Sequence, residues 1–210
     1  MADGEGARPR GAYHHGDLRR ALVAAAAAMV AESGVDALTL RGVGERAGVS
    51  RTALYRHFDG KAALLAAVAQ EGFRRLRLDI EAAVLGAEGD GVEPLVALGE
   101  AYVGFGAAHP AHYRVMFGPT FGDWGRYPDL VAEGEAAFGV LAGAIAEGQA
   151  AGRLVAGDPV RLAQVVWAAV HGVVTLGGDG HLVQRPPGPA NEPSLAAFAT
   201  RALLAGLAAR

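Results

Sequence analysis

The sequence predicts an all-α protein of about nine helices, and three observations carry that prediction. Apolar residues recur at three- and four-residue spacing through most of the chain. Glycines and prolines stand where those periodic segments must stop or start. β-Branched residues are sparse, and no alternating run of strand length competes.

Residues 1–16 are polar, with Gly, Arg and Pro, and read as a flexible N-terminal arm. Arg8 and Arg10 in it are of the kind that reaches a minor groove; a disordered tail is the plainer alternative. Residues 17–61 read as three helices. Asp17 is placed to cap the first, Leu18 to Ser33, whose stripe is Leu22, Ala25, Ala26, Met29 and Val30. Gly34 ends it. Thr39 caps the second helix, with Leu40, Val43 and Ala47 on one face. Gly48 breaks that helix at positive φ, Val49 plugs the turn, and Ser50 caps a third helix ending near Phe58. Leu54 and Phe58 point inward. Arg51, Thr52, Tyr55 and Arg56 are left facing out. Two helices joined by a short Gly-containing turn form a helix-turn-helix, and that outward face suits a DNA groove.

Residues 62–210 form the second predicted domain. From Lys61 a long helix carries Leu64, Leu65, Val68, Phe73, Leu76 and Ile80, so the domain boundary falls inside a helix. A Gly/acid-rich loop follows at 86–91. Leu95, Leu98, Tyr102 and Phe105 mark the next helix, broken at His109-Pro110. A short helix spans 111–117, and residues 118–128 form an aromatic loop with Phe121, Trp124 and Tyr127. A helix over 130–151 ends at Gly152. Asp158-Pro159 starts another, through Leu176, that is apolar nearly all round. After a Gly/Pro loop the last helix spans 194–210. Helices apolar beyond one stripe pack on two sides, which predicts a two-fold seam between protomers; filling of the monomer core is the alternative.

Composition narrows the function. No run of about 18 apolar residues predicts a membrane span, and the absence of cysteine excludes disulfides and fits a cytoplasmic protein. The net charge of −3 hides an asymmetry: residues 39–61 hold five basic against two acidic side chains, whereas residues 62–210 hold ten against fifteen. The positive charge sits where phosphate would be met. There is no Gly-x-Ser-x-Gly, phosphate loop or paired carboxylate set, so no enzyme reading assembles a coherent set of roles. No cofactor is expected. His109 and His112 lack a third partner at metal-ligand spacing.

The phrase Gly48-Val-Ser-Arg-Thr-Ala-Leu-Tyr-Arg-His-Phe58, followed by Lys61 and Leu64-Leu65, resembles the DNA-binding domain of the TetR/AcrR transcriptional regulators, over residues 17–73. The resemblance implies a homodimer that binds a palindromic operator in double-stranded DNA and is released by a small molecule. It implies that Arg51 and Thr52 face bases, that Ala53 touches a thymine methyl, and that Tyr55, His57 and Lys61 meet phosphates. Thr39 and Arg41 do the same from the second helix, and Arg56 can do either. His109 to Phe117 and Trp167-Ala-Ala-Val-His-Gly172 resemble one C-terminal subclass of that family. An apolar or aromatic effector is expected among Tyr102, Phe105, His109, Tyr113, Met116, Phe117, Phe121, Trp124, Phe138, Trp167 and His171. For His171 a structural hydrogen bond is the preferred role. A regulator without a small effector, and an all-α enzyme, remain the alternatives.

Overall fold

The computed structural model describes residues 15–89, 92–119, 123–182 and 194–207, the side chains of 15–17 excepted. Among them are nine α-helices, one 3₁₀ turn and no strand. Residues 1–14, most of the expected arm, lie outside the described set, as does Phe121. The chain divides into two compact units, Met1–Leu64 and Leu65–Arg210.

The first unit contains α1 (His15–Ser33), α2 (Leu40–Arg46), α3 (Arg51–Tyr55) and the first turn of α4 (Lys61–Gly86). α1 begins a turn earlier than Leu18, so Asp17, expected just before the helix, lies inside its first turn. An acidic residue is favoured there too, because the first-turn amides are free. The buried stripe of α1 is Leu22, Val23, Ala26, Ala27 and Val30, while Ala25 and Met29 are half-buried. With Leu38, Val43, Leu54 and Phe58 this stripe makes one small core.

α5 (Val92–Ala108) is the centre of the second unit, packed against α6 (Pro110–Phe117), α7 (Pro128–Ala150), α8 (Pro159–Gly178) and α9 (Leu195–Gly206). Three of these helices open with proline in the first turn, where a missing N–H costs nothing. Asp158 caps α8 through Val160 N at 2.9 Å, and Ser194 caps α9 through Ala197 N at 3.0 Å. The aromatic loop is not wholly irregular: Trp124–Arg126 is a 3₁₀ turn whose Asp123 carboxylate accepts from Gly125 N at 2.9 Å.

Two glycines bring α5 close to its neighbours. A β-carbon on Gly99 would strike the Thr200 hydroxyl of α9, and one on Gly106 would lie 3.0 Å from Val174 Cγ2 of α8 and nearer still to Cγ1. The Thr200 hydroxyl is fully buried with no hydrogen-bond partner among the described residues, a cost that close packing of α9 on α5 must offset.

α8 is long and apolar enough to cross a membrane by length and composition, the one such helix among the described residues. Core helices of soluble proteins pass the same test. What distinguishes α8 is its exposure: Val165 is 50% and Leu176 45% accessible, beside Leu195 at 51% and Phe198 at 63% on α9.

Candidate DNA-reading face and ligand cavity

The geometry of the helix-turn-helix follows from its caps. Thr39 Oγ1 accepts from Gly42 N at 3.1 Å, and Ser50 Oγ accepts from Ala53 N at 3.2 Å. Gly48 has φ +67, and Val49 N donates to Gly44 O at 2.9 Å, which closes the turn. α3 is shorter than the sequence suggests: it ends at Tyr55, and His57 and Phe58 both donate to Leu54 O in a tightened last turn. Leu54 and Phe58 are buried as expected, so Arg51, Thr52, Tyr55 and Arg56 are exposed; Ala53 and His57 are half-buried.

The basic residues divide into two sets. Arg46 is held in a two-pronged pair with Glu32 of α1, at 2.6 and 2.7 Å, and so braces α2 on α1. The Arg46 guanidinium holds the Glu32 carboxyl below its usual range. Arg19 lies over the Phe58 ring at 5.5 Å. Arg41 pairs with Glu45 one turn on, but both are exposed and such pairs are weak. Arg51 rests over the Tyr55 ring at 5.3 Å, a stacking that extends its guanidinium along the outward face. Lys61 Nζ donates to Asp36 O at 3.1 Å and ties the first turn of α4 to the link before α2. The local positive charge is therefore narrower than the count over residues 39–61 suggests, because Glu32, outside that window, neutralises Arg46.

The second unit holds a cavity of about 490 Å³. Of the residues singled out from sequence, Tyr102, Met116, Phe117, Trp124, Phe138 and Trp167 line it; Phe105, His109, Tyr113 and His171 do not. Phe105 packs against His109 at 5.0 Å instead. Sequence reasoning missed Phe73, Leu76 and Ile80 of α4, Leu98, Val131, Gly134, Glu135, Ala137, Leu141 and Val170. Phe73, Leu76 and Ile80 are recognisable in the sequence only as a helix stripe; their i, i+3, i+7 spacing was the available signal.

Behind the wall runs a hydrogen-bonded chain. Trp167 Nε1 donates to Tyr102 Oη at 3.0 Å, Tyr102 and Tyr113 hydroxyls meet at 3.1 Å, and Tyr113 Oη lies 2.6 Å from His171 Nδ1. With His171 neutral and its proton on Nε2, every donor in the chain finds an acceptor: indole to Tyr102, Tyr102 to Tyr113, Tyr113 to imidazole. Burial pushes both phenols up and the His171 imidazolium down, so the neutral forms hold. His171 thus hydrogen-bonds tyrosine hydroxyls through Nδ1, not the buried carbonyl that a structural role suggested from sequence. His112 is also pushed down, by burial first and then by Arg75, with Glu71 opposing and His109 adding.

These two histidines give a pH prediction. Their folded values lie below the unfolded value near 6.5. Above that pH both states are neutral and stability is full. As pH falls below it, the unfolded chain takes up protons first and stability is lost, with a slope of at most about 1.4 kcal/mol per pH unit for each histidine. Urea midpoints followed by tryptophan emission should fall between pH 7 and 5, and less steeply in His112→Gln.

The chain was compared with known proteins. A family model described as "Bacterial regulatory proteins, tetR family" matches residues 22–68, and one described as "Tetracyclin repressor-like, C-terminal domain" matches residues 95–203. Among solved structures the chain is similar to a protein of unknown function from Rhodococcus sp. RHA1, at 36% identity and TM-score 0.79 over 95% of this chain and 100% of that one. It shares the fold of a tetR-family bacterial regulatory protein from Rhodococcus RHA1, at 21% identity and TM-score 0.69 over 92% and 98%. It shares it also with the TetR family transcriptional regulator PfmR from Thermus thermophilus, at 19% and 0.63 over 88% and 94%. No curated protein sequence matches it significantly.

Proposed function

Because the chain belongs to the TetR family of bacterial transcriptional regulators, we propose that it is a homodimeric cytoplasmic repressor, not an enzyme, released from a palindromic operator by a small molecule. One observation carries this reading: a capped, braced helix-turn-helix and a drug-sized apolar cavity occur in one chain.

α3 enters the major groove. Arg51, aligned by Tyr55, reads guanine bidentately beside Thr52 and Arg56, and Ala53 meets a thymine methyl. Thr39, Arg41, Tyr55, His57 and Lys61 hold phosphates; the Thr39 hydroxyl accepts in its cap yet keeps its own hydrogen to give. Arg41 exchanges its weak pair with Glu45 for phosphate. Lys61 has donors beyond the one on Asp36 O. The exposed apolar side chains of α8 and α9, Val165, Leu176, Leu195 and Phe198, support a seam with a second copy, since large apolar side chains left in water are what an interface would cover. Ligand in the cavity favours protein states that no longer match both half-sites.

In-vitro selection of bound DNA by the purified protein tests the core of this proposal: a palindrome is expected, with half-sites about one helical turn apart. A non-palindromic consensus would overturn the dimeric reading. On the selected operator, Arg51→Ala should lose about 1–3 kcal/mol of discrimination at one base pair, while Lys61→Ala weakens all sequences alike. Equal loss on operator and random DNA for Arg51→Ala would remove it from base reading.

A further inference from the structure

The cavity presents one kind of chemistry. Its wall is built from the rings of Phe73, Tyr102, Phe117, Trp124, Phe138 and Trp167. Ring faces carry partial negative charge and attract cations. The only ionisable side chain other than Tyr102 in the described lining is Glu135, a carboxylate on α7 that makes no ion pair among the described residues. No Lys, Arg or His is among the described residues that line the cavity. Two polar groups of the wall are engaged: the Trp167 indole gives its N–H to Tyr102, whose hydroxyl lies within hydrogen-bonding distance of Tyr113 and His171. An anion entering here would shed its water and find no cation in the described lining, a costly transfer. A cation would find aromatic rings and one exposed carboxylate. Residues 62–210 add a formal charge of −5, ten basic against fifteen acidic side chains, which favours the approach of cations over anions.

We propose that the ligand of this cavity is a lipophilic cation, an alkylamine bearing aromatic rings or an onium compound, whose rings fill the apolar space while Glu135 meets its charge. This rests on the reading of the cavity as the effector site, and it narrows that site to one ligand class. Gly134 offers a control, because a β-carbon there meets only Trp124 and Phe73 ring atoms at 3.9 and 4.0 Å, so Gly134→Leu would grow into the cavity without a backbone clash.

The test uses the full chain and probes of defined charge. Tetraphenylphosphonium and tetraphenylborate share a shape and differ in sign, and N-phenyl-1-naphthylamine is a neutral reporter. The only two tryptophans of the chain, Trp124 and Trp167, both line the cavity, so their emission reads occupancy directly. The phosphonium is expected to bind at least about tenfold more tightly than the borate. Glu135→Gln should weaken the phosphonium about three- to tenfold, leave the neutral probe unchanged, and shrink the difference between the two ions. Equal or tighter binding of the borate, or an unchanged ratio in Glu135→Gln, would overturn the proposal. If the neutral probe binds and Gly134→Leu abolishes its binding while the borate matches the phosphonium, the ligand class fails and the cavity stands. If no probe changes tryptophan emission, the cavity reading falls with the proposal. If the phosphonium binds as expected but leaves operator affinity unchanged, the class holds and the effector reading fails.

Discussion

Leu54→Ala should abolish operator binding while leaving the second unit folded. α3 is only five residues long, far below the length at which a helix is stable by itself in water. It persists because Ser50 caps it and because Leu54, 1% exposed, pins it to the core of the first unit. Truncating a buried leucine costs about 2–5 kcal/mol, the scale of the whole stability of a small domain, about 5 kcal/mol. The two units give separate signals. Both tryptophans lie in the second unit, so their emission should stay native while helical circular dichroism drops and the operator shift disappears. Full operator affinity in this variant would mean that α3 is not what the cap and the leucine hold in place.

Gly106→Ala should lower the stability of the second unit by about 1–3 kcal/mol, the range for forcing an atom into a filled contact. Helix propensity alone argues the other way, because alanine inside a helix is favoured over glycine by about 1 kcal/mol. Packing wins because the neighbour is stiff. Val174 is β-branched, its own β-carbon would be 3.3 Å from the new methyl, and both its γ-carbons would be at or inside 3.0 Å. A flexible methionine, such as the one facing Gly72, yields at little cost; this valine does not. Urea midpoints from tryptophan emission measure the loss. Adding Val174→Ala should recover more than additivity allows. Strict additivity of the two substitutions would exclude a direct clash.

The fold was legible because its boundaries are written in local chemistry. Thr39, Ser50, Asp158 and Ser194 sit at N-caps, Pro110, Pro128 and Pro159 at first turns, and Gly34, Gly48 and Gly152 at positive φ. Each acts through neighbours a few residues away, which a sequence shows. The outward face of α3 was legible for the same reason, once Leu54 and Phe58 fixed the inward one. The cavity was legible only in part. Periodicity says that Phe73, Leu76 and Ile80 face inward, but not whether they meet a neighbour or an open space. That depends on Gly134, whose missing side chain leaves room, and on residues tens of positions distant. His171 illustrates the same limit. Its shared face with Trp167 is local, but its partners Tyr102 and Tyr113 are 69 and 58 residues away. The charge count failed at Arg46, since Glu32 lies fourteen residues before it and only the packing of α1 on α2 joins them.

Lys61 is the only lysine in the chain, and it opens α4 three residues before the division between the units. Reagents that acylate side-chain amines therefore have one target, and that amine is the brace on Asp36 O. A lysine-specific protease likewise has one bond to cut, Lys61–Ala62, in the first helical turn. A single nick there would break the backbone between the helix-turn-helix and the cavity-bearing unit. The same residue that ties the first turn of α4 to Asp36 thus makes this stretch a uniquely addressable point in the polypeptide, for labelling or for severing.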